Sequence, residues 1–163
     1  MKSLIKSFGY AFKGIAFCIG KERNLRIHLC FLTYMFGFLT VHDFFEVSRT
    51  QFAILIAVSA LVISLELVNT GIESAVDLAA NGKILPLAKI AKDAAAGAVL
   101  VSAIGAVATG LVILYQPAAF SAMFEYYKIH VPEFILLVVT VALSVTFVFA
   151  GPSGMLKLFK KKK

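Results

Sequence analysis

Long apolar stretches, broken at few places by charge, set the pattern of this chain. Leu29 to Phe45, Phe52 to about Ala80, Ala94 to Tyr115 and Phe134 to Ala150 are each apolar enough to predict a membrane-spanning helix. The third run holds no charged residue over its length and is long enough for the roughly 30 Å hydrocarbon core. The fourth is shorter and ends at Gly151-Pro152, a pair that breaks a helix. Ahead of them, residues 4–20 read differently. Leu4, Phe8, Phe12, Ile15 and Ile19 share one face of a helical wheel, with Lys2, Lys6 and Lys13 nearly opposite. That predicts an amphipathic helix lying in the membrane interface, or alternatively a helix packed on the bundle. It is not a cleavable signal peptide, because lysines interrupt the apolar part and no small-residue cleavage site follows.

Composition agrees with a membrane domain. Apolar residues make up 60% of the 163 and charged residues 15%, a balance that a soluble core of this size cannot hide. The net charge of +7 raises the alternative of nucleic-acid binding. Position decides against it: the cations stand at the ends of apolar runs and no nucleic-acid module is present. Residues 1–28 hold six Lys/Arg, residues 77–93 three and the tail from Lys157 five, so fourteen of sixteen fall on one side of a four-span arrangement. The positive-inside rule makes that side cytoplasmic, together with both termini. The terminal run Lys160–Lys163 reads as an anchor on the same side. Cys18 and Cys30 form no CxxC and His28, His42 and His130 are far apart, which predicts inert thiols and no zinc site. On the third span Ala94, Ala98, Ser102, Ala106 and Gly110 form a ridge of small residues, suited to close helix packing within the chain or between subunits.

The chemistry gathers in the second span. Glu66, Asn69, Glu73 and Asp77 fall within an arc of about 80° on one helix face. Carboxylates are costly near hydrocarbon unless they face a polar cavity or a cation. A helix end in the headgroups accounts for Asp77 but not for Glu66, which has apolar neighbours on both sides. Lys89, Lys92 and Asp93 precede the third span at the same level, and Glu22 stands among Lys21, Arg23 and Arg26 before the first. Carboxylate oxygens suit Mg²⁺ and lysines suit phosphate, the two needs of phosphoryl transfer. An ion pathway is the competing use of intramembrane acids. No P-loop or protein-kinase signature occurs.

The string Glu66-Leu67-Val68-Asn69-Thr70-Gly71-Ile72-Glu73-Ser74-Ala75-Val76-Asp77, followed by Ala91-Lys92-Asp93 and a small-residue helix, resembles the prokaryotic diacylglycerol kinase family. Tyr10-Ala11-Phe12-Lys13-Gly14 and Glu22-Arg23-Asn24-Leu25-Arg26-Ile27-His28 extend the resemblance, which covers roughly residues 3–115. It implies an all-α integral membrane protein: a surface helix and a three-span kinase core in residues 1–115, then an extension, 116–163, carrying the fourth span. It further implies an ATP-dependent kinase of lipid alcohols in the bacterial plasma membrane, acting as a homotrimer. In that reading Glu66 is the general base for the lipid hydroxyl, and Glu22 and Glu73 hold Mg²⁺ on the ATP phosphates. Asn69 and Asp77 support that site, Lys92 and Asp93 contact the nucleotide, and Tyr10 matches an ATP-contacting tyrosine. The 81–86 loop lacks a histidine that many members carry and is a residue longer than in proteobacterial enzymes, so no nucleotide contact is assigned there. Glu22 to His28 and Pro86-Leu87-Ala88-Lys89 look closer to the Gram-positive branch, whose members phosphorylate undecaprenol; diacylglycerol is the alternative acceptor.

Overall fold

The computed structural model describes the backbone of residues 2–160 and the side chains of 4–157. The side chains of the Lys160–Lys163 run, expected to anchor the tail, and of Lys2 lie outside the described residues. Six helices follow one another: α1 Lys2–Lys21, α2 Arg23–Val41, α3 Arg49–Ala80, α4 Pro86–Leu114, α5 Pro117–Ile129 and α6 Val131–Lys160. Among the described residues four helices, α2, α3, α4 and α6, are long and apolar enough to cross a membrane.

Local chemistry sets the boundaries. Ser48 opens α3 with a capping box: its hydroxyl accepts from the Gln51 amide while the Gln51 side chain returns to the Ser48 amide. Asn81 closes α3 in the left-handed region, φ 47°, and Gly82 follows at φ 76°, so two residues turn the chain toward α4. Pro86 and Pro117 occupy the first turns of α4 and α5, where a missing N–H costs nothing.

α3 and α4 form the most extensive helix pair, and α2 packs between α3 and α6. Little of the chain is hidden from its surroundings. Leu25, Leu55, Val62, Val99 and Ile113 are buried, whereas Leu100, Val101, Val112, Leu136 and Val145 face outward. That distribution suits a bundle whose solvent is hydrocarbon. The apolar face of α1, including Leu4, Phe8 and Phe12, is open in the same way, and among the described residues of that helix only Cys18 is buried. Cys30 is half-buried.

Two features differ from the hydropathy reading. The first span runs 23–41 rather than 29–45, because residues 42–45 leave the helix and spend their aromatic rings elsewhere. Phe44 packs on Tyr126 and Phe45 on Phe120. Residues 117–129, read as a connection, form α5, and Gln116 ties its start to the 42–48 loop through two hydrogen bonds with Glu46. On the small-residue ridge of α4, expected to pack within the chain or between subunits, Ala94 and Ala98 are exposed in the single chain and Gly110 has open space where a side chain would stand. The break at Gly151 is present as a kink, φ 66° and ψ 175°, with helix on both sides.

Candidate functional site

The acidic stripe of α3 lies at the end of the bundle where α1 gives way to α2. Glu66 is 2% exposed. Its Oε1 stands 3.3 Å from His28 Nε2 on α2, close enough for an ion pair yet without hydrogen-bond geometry. Thr70 below it donates to the Glu66 carbonyl at 3.0 Å, a contact within the helix that leaves the carboxylate free. One turn on, Asn69 is also buried and donates to Glu73 at 3.2 Å, and its own oxygen has no partner. Glu73 and Glu22 then share a cation: Lys21 Nζ lies 3.8 Å from the first and 3.4 Å from the second. Asp77, another turn along, takes a 3.0 Å hydrogen bond from Lys92 at the start of α4.

Helical spacing on α3 thus assembles one row, and three other helices bring its partners. Glu22 can reach Glu73 because it is the extended residue between two helices, φ −96° and ψ 119°, and so turns its side chain away from both axes. Tyr10 and Asp93 are the exceptions. Both are exposed, and neither makes a hydrogen bond or ion pair with the acids among the described residues. His28 is the partner that residue-type reasoning passed over, because only the packing of α2 on α3 brings it to Glu66.

An apolar cavity of about 400 Å³ opens beside this row between α2, α3 and α4. His28 borders it at one end, and Tyr115 and Phe120 at the other. Leu55, Ser59 and Val62 line it from α3, on the same helix face that presents Glu66 one turn later. From Glu66 to Leu55 is roughly 16 Å at the helical rise per residue.

No group of three metal-ligating side chains occurs among the described residues. Two carboxylates nevertheless converge on one positive charge, and hard oxygen ligands of that number suit Mg²⁺, which takes one or two carboxylates with phosphate oxygens and water. The residues present fit the ion, with the Lys21 ammonium near the place it would take.

The fold and site define a helical membrane protein with one buried carboxylate near an intramembrane cavity and further carboxylates and cations at one end of the bundle. The chain belongs to the prokaryotic diacylglycerol kinase family, which it matches over residues 9–114. It is 41% identical over 116 residues to a diacylglycerol kinase of Synechocystis, covering 71% of this chain and 64% of that protein. It is 40% identical over 115 residues to an undecaprenol kinase of Bacillus subtilis, covering 69% of this chain and 89% of that protein. The chain therefore spans just under two thirds of the Synechocystis relative's length. No solved structure matched it. α5 and α6 lie beyond the matched residues.

Proposed function

We propose that the chain transfers the terminal phosphoryl group of ATP to the primary hydroxyl of a membrane lipid alcohol, with undecaprenol as the preferred acceptor. The observation that carries this reading is the buried Glu66 carboxylate, facing His28 at the end of an apolar cavity and two helical turns from a carboxylate pair on a cation. Glu66 takes the proton of the acceptor hydroxyl as its oxygen bonds to phosphorus and the bond to the ADP oxygen breaks. His28, at 3.3 Å, steadies the carboxylate and shares that proton. Glu22 and Glu73 hold Mg²⁺, which when bound offsets phosphate charge. Lys21 swings from the two carboxylates to a phosphate oxygen, Asn69 keeps Glu73 oriented, and Asp77 and Lys92 fix the nucleotide side. Tyr10 and Asp93, exposed on either flank, close over the nucleotide when it binds.

The apolar body of the acceptor lies along the cavity. The roughly 16 Å along α3 from Glu66 to Leu55, on the face that lines this one cavity, matches about a dozen bonds of a single chain at the ~1.2 Å per bond of an extended chain. That favours an alcohol with one tail over a two-tailed glycerolipid. The near-complete coverage of the B. subtilis relative supports the same choice. In this reading Glu66 to Asp77 faces the cytoplasm with both termini, in line with the cation distribution. The working unit is a homotrimer, with the exposed Ala94–Ala98 side of α4 available to a second copy.

The test is labelled ATP and Mg²⁺ with purified protein in mixed micelles, offering undecaprenol and diacylglycerol in parallel. Faster labelling of undecaprenol supports the proposal. Preference for diacylglycerol keeps the residue roles and changes the acceptor. Folded protein that labels neither, and passes ions across a vesicle wall without ATP, overturns it.

A further inference from the structure

The fourth span crosses the molecule to meet one side chain. Arg26 is 6% exposed, and its guanidinium makes three hydrogen bonds, all to main-chain carbonyls. Two accept at the end of α1, Ile19 at 2.8 Å and Gly20 at 3.2 Å. The third is Val148 of α6, at 3.0 Å, 122 residues away. All three carbonyls sit where a helix ends or kinks and leaves its last oxygens unpaired, so one cation closes two helix C-termini at once. The fit is close. A side chain built on Gly151 would only touch the guanidinium, at 3.6 Å, but φ 66° and ψ 175° hold the kink in a conformation open essentially to glycine alone, so a substitution there shifts the kink that carries the Val148 carbonyl. Gly154 has no room for a side chain against Ala150, whose Cβ lies 2.8 Å away. Arg23 stands over the Phe149 ring on the same stretch, and Tyr34 meets Ser144 at 3.0 Å one level deeper.

What Arg26 holds is the junction that carries Glu22. The carbonyls it binds on α1 belong to the two residues before Lys21, and Glu22 hangs from that last turn through its amide, which donates to Cys18. We infer that Arg26 is a positioning residue for the metal–nucleotide site and that α6, which lies outside the family-matched segment, keeps its guanidinium in place. The extension is thereby a strut for catalysis: its kink fixes Arg26, Arg26 fixes the α1–α2 junction, and the junction sets Glu22 beside Glu73. The inference rests on Glu22 as a metal ligand, the role assigned under Proposed function.

The experiment uses the full chain in detergent and compares Gly151→Ala, Arg26→Lys, their combination, and Ser144→Ala as a control that loosens α6 away from Arg26. Two readouts are taken: Mn²⁺ affinity with ADP by electron paramagnetic resonance, and amide exchange at Glu22. Gly151→Ala and Arg26→Lys should each weaken Mn²⁺ affinity roughly three- to tenfold, a part of what one lost hydrogen bond to a charged group can supply, and speed exchange at Glu22. The double variant should be no weaker than the worse single one, since both act through the same contact. Ser144→Ala should change neither readout. Unchanged affinity in the folded Gly151→Ala protein overturns the inference, as do additive effects or an equal effect of Ser144→Ala. Should Gly151→Ala fail to fold, Arg26→Lys decides alone, because lysine keeps the charge but cannot reach carbonyls on two helices. Wild-type protein that binds no Mn²⁺ with ADP removes the metal role of Glu22 instead, and the exchange measurement then judges the strut by itself.

Discussion

Replacing Glu66 by glutamine separates catalysis from folding at a single atom. The side chain is 2% exposed, keeps its shape as an amide and loses the ability to take a proton. A positioned general base contributes about 10²–10⁴ in rate. At ~1.36 kcal/mol per decade, the loss corresponds to roughly 2.7–5.4 kcal/mol of transition-state stabilisation. Folding responds in the opposite sense. A carboxylate within a span costs about 2.5–3.5 kcal/mol on insertion scales, and the Oε1 atom of Glu66 recovers no hydrogen bond in return. The neutral amide removes the charged part of that cost, less what the 3.3 Å approach of His28 contributes. Glu66→Gln should therefore melt at the wild-type temperature or above it, followed by circular dichroism at 222 nm since the chain has no tryptophan. Phosphoryl transfer from labelled ATP should fall by at least a hundredfold in the same micelles. Turnover near wild type refutes Glu66 as the base. Lost turnover with a lowered melting temperature refutes the reasoning differently, by showing that the Glu66–His28 approach holds α2 on α3.

Glu73→Gln should raise the Mg²⁺ concentration for half-maximal activity several-fold with a smaller effect at saturation; an unchanged Mg²⁺ titration contradicts its place as a ligand. Chelation with EDTA should stop labelling while leaving the helical signal intact, and excess Mg²⁺ should restore it. Asp77→Asn breaks an exposed, solvent-screened ion pair and should leave the melting curve nearly unchanged, so a loss appears in the KM for ATP instead. Gln116→Ala removes both hydrogen bonds to Glu46 and should lower stability by about 1–2 kcal/mol without altering KM for either substrate.

Much of the site was legible because α3 is a regular helix. Once Glu66 to Asp77 was read at the helical period, their common face followed from geometry alone. Charge segregation and apolar runs likewise fixed the existence of four long helices, since the cost of unpaired backbone in lipid leaves a long apolar chain little other choice. Hydropathy was poorer at ends. It counted Phe44 and Phe45 as span because they are apolar, whereas their rings pack on α5. It passed over α5, although Pro117 marks its start and Phe120, Met123 and Tyr127 recur at helical spacing.

Partners across the bundle had no such signal. Which histidine approaches Glu66, and that Glu22 and Glu73 share Lys21, depends on how α1, α2 and α3 pack, a relation between segments far apart in the chain. Arg26 shows the division most plainly. In the sequence it is one more cation in a basic stretch, a candidate for setting topology. In the folded chain it is buried against carbonyls of α1 and α6, because kinked and terminating helices leave oxygens that only a side chain can satisfy. Periodicity along one helix is written in local order; the meeting of two helices is set by which faces bury together, and that required the tertiary structure.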